Sequence, residues 1–154
     1  MHIHNAIYNT IHKDGISLSR ASGIADFLLL YIKTPTLLQV YENTYTITDP
    51  SVVIISGYTP YKYLSVTKPY CDDYIHFLPR NTDGFLKELH FPLNQPIKIN
   101  NHHLIDPIIQ AICREYYEAT EYVLDIQYHQ MMLLMSRIGE SWSDEHYQNS
   151  AVPY

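Results

Sequence analysis

The stretch CDDYIHFLPR, residues 71–80, decides how this chain is read. Successive side chains of an extended strand point to opposite faces, so Asp72, Tyr74 and His76 share one face, and Asp73, Ile75 and Phe77 share the other. The second face is apolar. The first carries a carboxylate, a phenol and an imidazole, which a strand either leaves to solvent or turns towards something worth hydrogen-bonding.

Working outward, the first hundred or so residues read as short strands and turns, on β-branched and aromatic runs punctuated by Gly, Pro, Asn and Asp. The expected strands cover 3–9, 16–20, 26–33, 37–41, 45–48, 52–56, 61–66 and 73–78. Turn formers in KDG, KTP, YENTY, TDP, SGYTP and TKP separate them. Many short strands at close spacing predict a sandwich or barrel. NTDGFLKEL follows as one short helix, with Asn81 or Thr82 as N-cap.

The period then changes. In HHLIDPIIQAICREYYEAT the apolar Ile105, Ile108, Ile109, Ile112 and Tyr116 fall at helical spacing, and Pro107 is accommodated in a first turn. A second helix is expected over 119–138, with Leu124, Tyr128, Met131, Met135 and Ile138 recurring at steps of four, three, four and three. The short EAT link suits an antiparallel pair. Gly139 reads as a C-cap, and ESWSDEHYQNSAVPY as a polar linker or tail.

The bulk numbers fit one domain: 154 residues, 46% hydrophobic, 17% charged, with fifteen tyrosines as the compositional anomaly. Cys71 and Cys113 follow no ligand spacing and no secretory signal is read ahead of them, so a reduced, cytoplasmic setting is expected. FLLLYI is strand-sized and too short to span a membrane. A formal charge of −6 without a basic cluster argues against direct DNA binding, because phosphate contacts need concentrated Lys and Arg.

The stretch RASGIADFLLLYIKTPTLLQVYENTYTITDPSVVIISGYTPYKYLSVTKPYCDDYIHFLPR resembles the effector-binding half of the AraC family of bacterial transcription regulators. The landmarks are DFLLLYI, TDPSVVIISGYTPYKYLS and DYIHFLPR, with ICREYYEA and HQMMLLMSRI similar to the family's two-helix segment. TDPS stands where the family has Pro-Gly-Asp, and KTPT lacks its usual glycine. The resemblance implies a mainly β fold with C-terminal helices: a cupin-like jelly-roll barrel over about 1–100, then a short helix and an antiparallel two-helix dimerisation segment over about 103–139. On this reading 140–154 is a linker towards an absent helix-turn-helix domain, through which alone DNA would be reached.

Carried over by position, the family's sugar-binding residues fall on Lys33, Tyr63, Asp72 and Tyr74, with His76 and Arg20 as further contributors. The expected ligand is a small polar effector, a sugar or related molecule. Tyr74 and His76 would then face the barrel interior and Ile75 and Phe77 would pack under the helices; the bland alternative is a barrel filled by its own side chains. Leu124, Tyr128, Met131, Met135 and Ile138 are assigned to a homodimer contact, against the plainer option that the methionines pack on the barrel. No cofactor is expected. Nor is a metal: His2 and His4 have ligand spacing but lie at the N-terminus, and adjacent His102 and His103 diverge on a helix. No Ser-His-Asp arrangement or phosphate loop is visible, so the chain is read as a non-enzyme, with a sugar-directed cupin enzyme and a dimerisation-only domain as rivals.

Overall fold

The computed structural model describes residues 1–80 and 84–149. Among the described residues nine strands form two antiparallel sheets: β1 (His2–His12), β2 (Ser17–Arg20), β3 (Phe27–Ile32), β4 (Thr36–Val40), β5 (Asn43–Ile47), β6 (Ser51–Ile55), β7 (Tyr61–Ser65), β8 (Tyr70–Leu78) and β9 (Ile97–Lys98). Their orders are β1-β8-β3-β6-β9 and β2-β7-β4-β5. The first eight strands, four in each of two facing sheets in this order, are a jelly roll, and all eight expected strands are present, with ends shifted by a few residues. Only β9, two residues that extend the larger sheet, has no counterpart in the sequence reading.

Three helices follow or interrupt the strands: α1 (Phe85–Glu88), α2 (His102–Tyr117) and α3 (Val123–Asn149). They cover the outer face of the larger sheet, which is why its central strands are apolar on both faces. In β3, Leu28, Leu30 and Ile32 point between the sheets, whereas Leu29 and Tyr31 join the layer under the helices. β6 divides likewise, Val53 and Ile55 from Val52 and Ile54. The smaller sheet has one covered face only: Leu38, Val40, Tyr61 and Tyr63 are buried while Leu37, Lys62 and Leu64 are exposed.

Four local readings change. The N-cap expected at Asn81 or Thr82 lies outside the described residues. Pro107 is the sixth residue of α2, not in its first turn, and is tolerated there on an exposed face. α3 does not stop at Gly139 but runs on to Asn149, so residues 140–149 are helical where a linker was expected. The cause is tertiary: Ser141, 1% exposed, donates to Asn101 Oδ1 at 2.7 Å, and Asn101 Nδ2 donates to the Arg137 carbonyl at 2.9 Å, tying α3 to the start of α2.

The dimer seam is also reassigned. Met131, Met135 and Ile138 are buried within the chain, between α2, α3 and the larger sheet, and Tyr128 packs partly against them. The four-three spacing therefore marks the helix face that completes this chain's own core. Leu124 is left exposed.

Gly139 is a mid-helix glycine whose added Cβ would meet nothing nearer than Phe91 Cδ1 at 3.9 Å. Gly139→Ala should therefore stabilise the fold by ~0.5–1 kcal/mol, read as a higher urea midpoint at unchanged slope. A C-capping glycine would give the opposite sign.

Candidate functional site

Alternation along β8 sends Tyr70 and Tyr74 between the sheets and Ile75 and Phe77 under the helices. Facing them across the sandwich, β2 turns Leu18 and Arg20 inward and β7 turns Tyr61 and Tyr63 inward, in direct register as Leu18 opposite Tyr63 and Arg20 opposite Tyr61. Between these strands lies a cavity of about 320 Å³, which gathers Arg20, Tyr63, Asp72, Tyr74 and His76 on its walls. Five of the six expected positions thus come together.

Lys33 does not join them. It follows β3 directly and turns to the opposite side of the sheet, where its Nζ lies 2.8 Å from Asp73 Oδ1 and 2.6 Å from Asn9 Oδ1, over the Tyr8 ring. Asp73 is fully buried and also accepts the Asn9 backbone N–H at 2.7 Å. The lysine is the counter-ion of a buried carboxylate.

Thr10, His12 and Asn5 also line the cavity, and the sequence reading missed them. Strict alternation puts residues 8 and 10 on one face, yet Tyr8 packs under the helices and Thr10 reaches the cavity. The register of β1 against β8 slips between Ile7 and Thr10, with Asn9 at φ 53°. A bulge of this kind flips the faces that follow it. Asn is among the residues that tolerate a left-handed backbone, so Asn9 was the available signal.

At one end of the cavity Asp72, 2% exposed, accepts the Tyr70 hydroxyl at 2.5 Å through Oδ2, and its Oδ1 has no partner. Thr10, its cross-strand partner, has an equally buried and unpartnered Oγ1. Burial pushes the Asp72 carboxyl up from 3.8 to about 6, against the pull of the Tyr70 hydroxyl and of His12. The Tyr63 and Tyr70 phenols are pushed up by burial and then by Asp72, so both stay protonated donors. Burial lowers His76, favouring the neutral ring. The tyrosines form a wall: Tyr61 and Tyr63 lie 6.4 Å apart and 7° from parallel, and Tyr63 lies 5.9 Å from Tyr70.

The other histidines pair off elsewhere. His2 and His4 meet edge to face at 4.4 Å, His4 binds Asp26 at 2.7 Å, and His102 and His103 adjoin on α2. Among the described residues no three His, Cys, Asp or Glu side chains are placed to hold a metal, and both cysteines are free thiols. A second groove of about 330 Å³ runs over the outer face of the smaller sheet, along Leu37, Lys62 and Leu64, and contains no buried unpartnered polar atom. No described helix is long and apolar enough to cross a membrane.

No family model matches the chain, and no curated protein matches it in sequence. Among solved structures, a cupin superfamily protein of Desulfitobacterium hafniense is similar over 51% of this chain and 75% of its own, at 10% identity and a TM-score of 0.39. ToxT of Vibrio cholerae, solved with an unsaturated fatty acid bound, is similar over 97% of this chain, at 14% identity and a TM-score of 0.43; the chain spans 57% of its length. These are distant likenesses of shape.

Two outcomes follow from the two aspartates. The folded chain holds the Asp72 proton more tightly than the unfolded chain does, so ionisation between pH 3.8 and about 6 works against the native state. Asp72→Asn is spared that cost. Thermal melts should show the variant gaining on the parent as pH rises through this window, with the gap level above it. Lys33→Met should destabilise the fold by ~3 kcal/mol at neutral pH, because Asp73 loses its cation, and by less as the pH falls, because burial raises the Asp73 carboxyl and favours its protonated form.

Proposed function

We propose that this chain is the ligand-sensing and dimerisation half of an AraC-type transcription regulator, taking a small polar effector, a sugar or a related molecule, between its sheets. What carries the reading is the pair of buried, unpartnered polar atoms, Asp72 Oδ1 and Thr10 Oγ1, at the end of a cavity walled by Arg20, Tyr63, Tyr74 and His76. Buried polar groups are ordinarily satisfied, and two orphans on adjacent strands of one cavity leave a place for a partner that the chain does not supply. The volume is within the range of small-molecule sites, and the open space favours a sensor over a barrel plugged by tyrosines. The order of elements supports a regulator half: a jelly roll, a short helix, then two antiparallel helices. In this reading the chain binds without chemistry, and effector binding shifts the population of arrangements that present a DNA-binding domain.

The same reading has two copies pair through the helical layer. With Met131, Met135 and Ile138 committed to the core, Leu124 and Leu133 remain as exposed apolar groups on α3, and Tyr122 just ahead of it. Charge at Met131 or Met135 would unfold the chain, so Leu133→Asp is the informative change.

A thermal-shift screen over sugars, sugar acids and amino acids should find a stabilising class, and Tyr63→Ala and Tyr74→Ala should each weaken it roughly tenfold. A hit insensitive to both substitutions would place the ligand elsewhere. Sedimentation of the unmutated chain as a monomer at micromolar concentration would remove the dimer from the reading.

A further inference from the structure

The cavity has two unlike ends. Asp72 and Thr10 face one another across β8 and β1 at the first, where the Tyr70 and Tyr63 phenols gather. His76, four residues further along β8 and so about 13 Å away, marks the second. Arg20 stands towards that second end, opposite Tyr61 on β7, and its charge is felt by Tyr61 and His76 there and by Tyr63 further along the wall.

Each end asks for a different group. An ionised carboxylate only accepts, so Asp72 Oδ1 calls for a donor, and the Thr10 hydroxyl beside it exchanges a second hydrogen bond in either sense. Neighbouring hydroxyls on one ligand meet both needs. An ammonium group only donates, so it could serve Asp72 and the Thr10 oxygen but would leave the Thr10 O–H without an acceptor, which a ligand hydroxyl supplies. At the other end Arg20 is a guanidinium on an inward position of β2 that donates over 3.4 Å to the Ser19 carbonyl. Among the described residues no carboxylate forms an ion pair with it. Exposed arginines are common, but this one lines a cavity that Lys33 does not reach, and its fork matches a carboxylate in two bonds. Between the ends the nearly parallel Tyr61 and Tyr63 rings offer a flat apolar wall suited to the face of a sugar ring.

Resting on the sensor reading above, we propose that the cavity selects a hydroxylated carboxylic acid of the sugar-acid class, its carboxylate on Arg20 and its hydroxyls at Asp72 and Thr10. Titration calorimetry on the full chain with D-glucuronate and D-galacturonate, against D-glucose and D-galactose and against 6-aminohexanoate, tests it. At least one uronate should bind roughly tenfold or more tightly than its neutral sugar. Arg20→Gln should abolish that preference while sparing the neutral sugar, and Asp72→Asn should weaken uronate and sugar alike. Equal binding of acid and neutral sugar, or an unchanged preference in Arg20→Gln, overturns the acid end and leaves the cavity a ligand site. Tighter binding of 6-aminohexanoate than of either uronate overturns the hydroxyl end. Absence of saturable binding by every probe overturns the proposal, while the wider screen still decides whether the cavity senses anything.

Discussion

Two neighbouring carboxylates on one central strand set the terms for this fold. Asp72 and Asp73 are 2% and 0% exposed and point to opposite faces of β8, which is paired with β1 on one side and β3 on the other. Buried charges are costly unless they are paired and hydrogen-bonded. Asp73 answers that demand from behind the sheet through Oδ1, which takes a lysine and a backbone N–H, while its Oδ2 is left without a partner. Asp72 has a phenol and an unused oxygen. The register of β8 cannot slip by one residue, since that would drive Ile75 and Phe77 into the cavity and Tyr74 and His76 under the helices.

The cavity's place follows from which strands are covered on both faces. β3, β6 and β4 present Leu28, Leu30, Ile32, Val53, Ile55, Leu38 and Val40 to the interior, and these close-packed aliphatics fill one half of the sandwich. The other half lies between β1 with β8 and β2 with β7, where the inward positions are held by Tyr61, Tyr63, Asp72, Tyr74, His76 and Arg20. Large rings joined to short polar groups do not interdigitate as branched aliphatics do. Space remains there, bordered by atoms that can hydrogen-bond.

Period-2 patterning made the eight jelly-roll strands and the two-faced character of residues 72–77 legible in sequence, because alternation is a local property of the backbone. What it could not supply was long-range. Nothing local says that Lys33, one residue beyond β3, turns to Asp73 behind the sheet. The extension of α3 past Gly139 depends on Ser141 meeting Asn101, forty residues away, and a glycine with polar followers reads locally as an end. The spacing of Met131, Met135 and Ile138 marks a packing face, which the sequence reading assigns to a second copy and the structure places within the chain. Periodicity alone does not distinguish a partner within the chain from a second copy.

Asn9 joins the two sides of the sheet. Its N–H and side-chain carbonyl bind Asp73 and Lys33 behind the sheet, and its left-handed backbone is the bulge that returns Thr10 to the front. The donor-seeking end of the cavity therefore depends on an ion pair that no ligand touches. Asp73 holds Asn9, Asn9 reverses β1, and the reversed strand sets Thr10 opposite Asp72. The unpartnered Asp72 oxygen in front thus stands opposite a strand whose bulge is held by Asp73 behind. Lys33 stands outside the cavity, bonded to the residue that sets the bulge, while Arg20 stands on the cavity wall.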